Sequence, residues 1–379
     1  MIKILTIIGA RPQIIKAAAI SRAISKEFSR EIKELIVHTG QHYDSNMSQI
    51  FFDELGIPKP HYNLNIGSGL HGKQTARMIE GIEELLLIEN PNYLLLYGDT
   101  NSTLSGAIAA SKLNIPIIHV EAGLRSFNKK MPEEINRITC DHLSSLLFSP
   151  TKSGFQNLIN EGFNSQNQAP YSSDNPGIFH CGDIMYDNSL HYASQASKES
   201  NILVHNDLKP NNYVMATVHR DHNTDIDENI TSIFEALIKI SAKSKVVLPI
   251  HPRTWKKLHS EGLEKLLRRI KECNNLIIIP PVSFLDMIQL ESNTSLIITD
   301  SGGVQKESYF FNKPCIVLRP QTEWIEILNT GKAKLVSADF NKILNAYDTL
   351  TNINKSEFPK IFGDGRAAKF ICETIIANS

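Results

Sequence analysis

The sequence predicts an α/β protein made of two Rossmann-like domains, each a parallel sheet covered by helices. Three observations predict this. Short apolar, β-branched runs alternate with stretches of helical spacing along most of the chain, which is the signature of a doubly wound parallel sheet. The alternation breaks at one polar region and then restarts. The length of 379 residues accommodates two domains at roughly 100–200 residues each.

The elements follow in order. Ile2–Ile8 is an apolar run that ends at Gly9 and reads as a buried parallel strand. Pro12–Lys26 carries Ile14, Ile15, Ala18 and Ile24 at helical spacing. Further strands are predicted at Glu34–Thr39, Tyr93–Tyr97, Ile115–Val120 and Leu146–Phe148. Asn164–Gly177, rich in Asn, Ser, Pro and Gly, reads as a loop. A strand at Ile178–Cys181 and a helix at Tyr186–Ala196 complete the first domain, 1–196. The polar stretch 197–212 reads as a linker. The second domain, 213–365, repeats the rhythm with strands at Tyr213–Val218, Lys245–Ile250, Leu276–Ile279, Ser295–Thr299 and Pro314–Leu318. A last helix, Arg366–Ala377 within 366–379, is expected to pack back on the first domain. Ligands of open α/β sheets bind beyond the carboxyl ends of the strands, and two such sheets facing a cleft give the GT-B type of architecture.

The formal net charge of -1 points to neither nucleic acid nor a membrane surface as partner. The five cysteines form no CxxC pair, so a disulfide framework or zinc site is not expected. No apolar stretch approaches the roughly 20 residues of a membrane span, and the start of the chain has no basic segment before its apolar run. A cytoplasmic location is therefore expected.

Polar residues that follow strand ends are the candidates for chemistry. Gly9-Ala10-Arg11-Pro12 with Lys16 places positive charge at a helix start, where anions bind; the plainer reading is an ordinary strand–helix turn. Asp300-Ser301-Gly302-Gly303 is the matching turn of the second domain, with Glu307 one to two turns into the following helix and suited to a ribose diol. Gly67–Gly72 matches G-x-G-x-x-G by letter but follows no strong strand, so it reads as a glycine-rich loop and not a dinucleotide fingerprint. Asp99, Glu121, Glu133 with Glu134, and His219 fall beyond strand ends or at a helix start, and together suit general acid–base work. Taken singly, each also fits a cap, a surface charge or a satisfied histidine. No metal-ligand spacing, Walker A loop or nucleophile elbow appears.

In order along the chain, GARPQIIK, TGQHYD, YGDTNSTL, HVEAGLRS, MPEEINR, TVHRDHN, HPRT, DSGGVQKE and LRPQTEW resemble the motifs of the non-hydrolysing UDP-N-acetylglucosamine 2-epimerases. The resemblance runs from Met1 to Val336. It implies a GT-B fold, a homodimer, and a reaction without metal or nicotinamide. In that reaction UDP is eliminated to a 2-acetamidoglycal and added back with carbon 2 inverted. It places Asp99, Glu121, Glu133 and His219 at catalytic positions. It places Arg11, Lys16, Arg137, His251, Ser301, Gly302, Gly303, Glu307 and Arg319 at UDP-binding positions.

Ala10, Gln13, Ser126–Met131 and Trp324-Ile325 depart from the commoner pattern. They look more like the branch that epimerises UDP-2,3-diacetamido-2,3-dideoxyglucuronate for surface polysaccharides. On that reading Gln13 spares an anionic sugar a negative charge at the helix start, and Lys129 and Lys130 offer a counter-charge; the plainer reading is that Gln13 pairs with backbone and both lysines are solvated. Gln41, His42 and Gln74 match part of an allosteric substrate site of some members, whereas Asp44 and Lys73 do not. A GT-B glycosyltransferase, a hydrolysing epimerase and a non-catalytic nucleotide-sugar sensor are the alternative readings.

Overall fold

The computed structural model describes residues 1–40, 56, 58–353 and 358–379. Two compact units are present: Met1–Asn188 with Ile361–Ser379, and Ser189–Lys360.

The first unit contains β1 (Ile2–Ile8), β2 (Ile32–His38), β3 (Tyr62–Asn63), β4 (Tyr93–Tyr97), β5 (Ile117–Val120), β6 (Leu146–Ser149) and β7 (Gly177–His180). They form one sheet in the order β3-β2-β1-β4-β5-β6-β7, with every pair parallel. Leu5, Ile7, Leu94 and Leu96 face one layer of helices. Their sequence neighbours Ile4, Ile8 and Leu95 are equally buried, so both faces of the sheet are covered, and the strands read as continuous apolar runs for that reason. The helix Ala367–Ala377 belongs to this unit. Asp187 accepts from the backbone N–H groups of Ala367 (3.1 Å) and Ala368 (2.9 Å) at its start, and Phe370 packs edge-on against Phe148.

The second unit contains β8 (Tyr213–Thr217), β9 (Lys245–Pro249), β10 (Leu276–Ile279), β11 (Leu296–Thr299), β12 (Cys315–Val317) and β13 (Ala333–Leu335). Their order is β10-β9-β8-β11-β12-β13, again parallel throughout. Val214, Ala216, Val246 and Leu248 pack with Ile233, Leu237, Ile343 and Leu350 of its helices.

Both sheets reverse direction once, between β1 and β4 in the first unit and between β8 and β11 in the second. The strand ends beside each reversal carry Gly9 and Gly98-Asp99, and His219 and Asp300-Ser301. Ligands of doubly wound sheets bind at such reversals.

Several details differ from the sequence reading. β3 and β13 were not expected, being only 2 and 3 residues long at sheet edges. The first helix spans Arg11–Ala23 and widens into a π turn at Ile24–Phe28. The stretch 197–212 holds the end of the helix Ile184–Glu199 and the short helix Ile202–His205. Gly72 lies inside the helix His71–Glu89, and a Cβ at Gly67, Gly69 or Gly72 would meet nothing within 4 Å. The glycines of GSGLHG are therefore not demanded by close packing. Among the described residues, no helix is long and apolar enough to cross a membrane.

Candidate functional site

At the reversal of the first sheet, two carboxylates each meet a cation. Asp99 follows β4, and its Oδ2 lies 2.5 Å from Arg137 Nη2. Glu121 follows β5 and pairs with the Lys16 ammonium of the first helix. Burial works against the Lys16 charge, but Glu121 and Asp99 outweigh it and hold its pKa above the usual lysine value. Glu121 has φ +74°. That left-handed backbone is sparsely populated by non-glycine residues and recurs at functional positions. A Cβ at Gly98 would come within 3.1 Å of Lys16 Nζ and 3.2 Å of Glu121 Oε2, so glycine leaves room for the pair.

Lys16 and Arg137, expected on UDP, are thus brought onto the two carboxylates. Arg11 is exposed at the first position of its helix. Gly9 has a packing reason that the sequence did not reveal. A Cβ there would overlap the hydroxyls of Thr39 and Ser102, which contact each other at 2.8 Å.

Gln13 makes the backbone pairing that is the plainer reading of its departure. It is 1% exposed. Its Oε1 accepts from the N–H groups of Gly9 (2.9 Å) and Ala10 (3.1 Å), and its Nε2 donates to Tyr97 O and Thr103 Oγ1, both at 3.0 Å. The amide ties the β1 turn to the end of β4 and needs both its donors and its acceptor.

Of the two glutamates in MPEEINR, Glu133 is exposed in the first turn of the helix Pro132–Leu143, whereas Glu134 is buried. Glu134 accepts from the N–H groups of Ser126 and Phe127, both at 2.9 Å, and from Arg137 Nη1 at 2.9 Å. Burial alone would raise its pKa; the donors of Ser126, Arg137 and Phe127 pull it below the usual carboxylate value. Glu134 therefore fixes both the loop 126–131 and the arginine on Asp99, a role that sequence reasoning missed. Lys129 and Lys130 are exposed on that loop. Gln74 is buried and links Gly67 O (3.1 Å) to Asn101 Nδ2 (2.9 Å), two residues beyond Asp99. Gln41 and His42 lie outside the described residues.

At the reversal of the second sheet, Asp300 is fully buried. It accepts from His219 N (2.9 Å), Arg220 N (3.0 Å) and Asn223 Nδ2 (3.0 Å). It also stands 3.2 Å from His219 Nδ1. Sequence reasoning named Asp300 only as the start of a turn; its position directly after a strand was the available signal. Burial lowers the His219 pKa, the Asp300 charge opposes this, and His251 and Arg220 add to the lowering. The ring is thus neutral near pH 7 and can exchange a proton. His251, ring centroid 5.5 Å from His219, caps the helix Pro252–Leu258, its Nδ1 accepting from Arg253 N.

Ser301 caps the helix Gly302–Phe310, whose first turn presents the N–H groups of Gly302 and Gly303. Glu307 turns back along that helix, its Oε2 lying 3.9 Å from where a Gly303 Cβ would be. Burial pushes its pKa up to about 7, against the charge of Lys306. Behind it, Glu291 is fully buried with no hydrogen-bond partner for either oxygen. Burial and the Glu307 charge hold Glu291 protonated well above the usual range. Arg319 Nη1 pairs with Glu323 Oε2 at 2.9 Å. The Glu323 carboxylate rests against Gly302, where a Cβ would overlap it. Trp324 donates from Nε1 to Gly302 O at 3.0 Å and stacks under Lys306.

Each unit is thus a Rossmann-like sheet with polar residues gathered at the reversal, and comparison with known proteins shows the family of the chain. The family described as UDP-N-acetylglucosamine 2-epimerase matches residues 25–376. A UDP-N-acetylglucosamine 2-epimerase homolog from Methanococcus maripaludis is 49% identical over 374 residues, 98% of this chain and 99% of its own. The UDP-2,3-diacetamido-2,3-dideoxy-D-glucuronate 2-epimerase of Pseudomonas aeruginosa is 46% identical over 372 residues, 98% of both chains. Among solved structures, the Methanocaldococcus jannaschii UDP-GlcNAc 2-epimerase in complex with UDP-GlcNAc and UDP is similar with a TM-score of 0.78. It is 40% identical, with 99% of this chain and 100% of that one covered. With the match extending over nearly the whole length of both units, the chain belongs to the UDP-N-acetylglucosamine 2-epimerase family.

Proposed function

We propose that this protein inverts carbon 2 of a UDP-bound 2-acetamido sugar by eliminating and re-adding UDP. A base takes the C2 proton, the C–H electron pair becomes the C1=C2 bond of a 2-acetamidoglycal, and the C1–O bond breaks with its pair leaving on UDP. Protonation of the glycal at C2 from the opposite face and return of the UDP oxygen to C1 complete the inversion, so no atom or electron is gained or lost.

The observation that carries this reading is the pair of carboxylate–cation couples at the ends of β4 and β5, Asp99–Arg137 and Glu121–Lys16. A reaction that moves a proton on and off carbon needs fixed acid–base groups, and these are held by neighbours and not by solvent. Glu133 and His219 supply further exchangeable protons. The helix start at Ser301, Gly302 and Gly303 takes the diphosphate and Glu307 the ribose diol. Arg11, His251 and Arg319 add polar contacts to UDP.

For the sugar, we favour one bearing a C6 carboxylate or a 3-acetamido group. The 46% identity with the diacetamidoglucuronate enzyme and the exposed Lys129 and Lys130 beside Glu134 support it. The product then feeds surface-polysaccharide precursors, made in the cytoplasm by a homodimer that needs no metal, nicotinamide or nucleic acid.

Turnover in deuterated water, followed by NMR, tests the mechanism. Solvent deuterium should appear at C2, with no acceptor added and with slow leakage of UDP and glycal. Retention of the original C2 hydrogen during inversion would eliminate the route.

A further inference from the structure

His119 lies in β5, two residues before Glu121, and is fully buried. Both of its ring nitrogens face acceptors: Nδ1 is 2.7 Å from Asp141 Oδ1 and Nε2 is 2.8 Å from the carbonyl oxygen of Gly98. A neutral imidazole has one N–H and one lone pair, so one of these contacts would set a lone pair against an oxygen. A proton on Asp141 would relieve this, but the rest of that carboxylate is committed as an anion. Its Oδ2 accepts from Gly123 N at 3.0 Å and pairs with Arg125 Nη2 at 2.7 Å. Arg125 in turn grips Glu161 with two hydrogen bonds of 2.7 and 2.6 Å. The buried run His119–Asp141–Arg125, whose arginine reaches out to the exposed Glu161, balances its charges together with that glutamate when the imidazole carries two protons.

The other charge acting on the ring is Glu121, just past the end of its own strand, which also favours the cation. Burial opposes that charge, yet these partners hold the His119 pKa above the ordinary histidine value. The two ends of the clamp are attached to the proposed catalytic turns. Gly98, φ +63°, immediately precedes Asp99, and Gly123, φ +78°, follows Glu121 by two residues.

We propose that His119 is a positioning residue, a permanent imidazolium that with Asp141 locks the Gly98-Asp99 and Glu121-Gly123 turns in register. This rests on the reading that Asp99 and Glu121 perform the chemistry. Within the reaction the ring neither gives nor takes a proton; its charge is structural, and its effect on turnover passes through the two carboxylates.

Nitrogen NMR of the full chain labelled at histidine tests the charge directly. At pH 7 both His119 nitrogens should carry protons, whereas His219 should be neutral. A single protonated His119 nitrogen at that pH would overturn the proposal. Asp141→Asn tests the positioning. We expect the imidazolium to be lost and kcat to fall at least tenfold, with KM for the UDP-sugar changed less than about threefold. We also expect the Lys16 ammonium to titrate at lower pH as Glu121 moves off it. Unchanged kcat with an unchanged Lys16 titration would refute the clamp. Failure of the functional reading is separable: a wild-type protein that exchanges no C2 hydrogen loses its assigned reaction, while the nitrogen shifts and the Lys16 titration still decide the role of His119.

Discussion

Glu307 gives the sharpest link between an electrostatic feature of the fold and a binding measurement. Its carboxyl titrates near pH 7 because burial penalises the anion, yet a ribose diol donates its two hydroxyls best to an ionised carboxylate. UDP-sugar affinity should therefore be flat above pH 8 and fall by close to tenfold for each unit below 7, about 1.4 kcal/mol per unit. Near pH 6 the site holds roughly ten protonated molecules for each ionised one. Glu307→Gln removes the titration. At pH 8 it should weaken binding by about 1.5–3 kcal/mol, the scale of a hydrogen bond to a charged group. At pH 6 the gap to wild type should shrink by about 1.4 kcal/mol. Calorimetry with a UDP-sugar is the assay, because free UDP carries a terminal phosphate that itself titrates near pH ~6. Wild-type affinity that stays flat from pH 6 to 8, or a slope that survives in the glutamine variant, would refute the reasoning.

Glu291 behaves oppositely with respect to stability. Its folded pKa lies well above its unfolded value of 4.5, so the native state binds more protons, and stability falls as pH rises through that window by up to about 1.4 kcal/mol per unit. Glu291→Met should flatten the urea-midpoint profile between pH 5 and 7; a profile parallel to wild type would contradict this. Lys16→Met leaves Glu121 buried without its cation and should cost about 3–5 kcal/mol in denaturant unfolding, a loss that Lys16→Met with Glu121→Leu recovers in large part. Asp300→Asn removes one of the two oxygens that hold His219 N, Arg220 N and Asn223; turnover should fall at least tenfold while the far-ultraviolet spectrum stays unchanged. In substrate competition the 2,3-diacetamido uronate should exceed UDP-N-acetylglucosamine in kcat/KM by roughly tenfold to a hundredfold, the equivalent of one charged contact. Equal values would return the protein to plain N-acetylglucosamine.

The sheets were legible because a parallel strand covered on both faces is largely apolar along its length, as in Ile2–Ile8, apart from Lys3 and Thr6, and Tyr93–Tyr97. β3 and β13 were not, since Tyr62-Asn63 and Ala333–Leu335 are short edge strands that need little apolar side chain. The residues at strand ends could be listed from sequence, but their partners could not. Lys16 reads as a phosphate ligand, and only the fold reveals that it also meets Glu121, 105 residues on. Glu133 and Glu134 are identical letters, and only the phase of the helix that Pro132 begins turns the second one inward. Gln13 illustrates the same limit. A missing charge at a helix start reads as accommodation of an anion, whereas the folded amide turns out to need both of its hydrogen-bonding ends.

The two units solve opposite electrostatic problems with similar topology. In the first, charges near the reversal are matched by counter-charges: Asp99 with Arg137, Glu121 with Lys16, and Asp141 with Arg125 and His119. Such pairing adds little net stability, because desolvation offsets the attraction, but it fixes geometry to within hydrogen-bond tolerance. Chemistry at a carbon–hydrogen bond depends on that tolerance. The second unit instead keeps groups short of partners: a helix start that presents its N–H groups and two acidic side chains that burial holds against ionisation. Unmet groups of this kind cost stability until a ligand arrives to satisfy them. An arriving diphosphate meets the helix start and an arriving ribose meets Glu307, so the cost returns as affinity. The first unit is thus built to be the same before and after binding, and the second to change its protonation when it binds. The pH slope of UDP-sugar affinity should accordingly follow substitutions at Glu307 and be insensitive to those at Asp99.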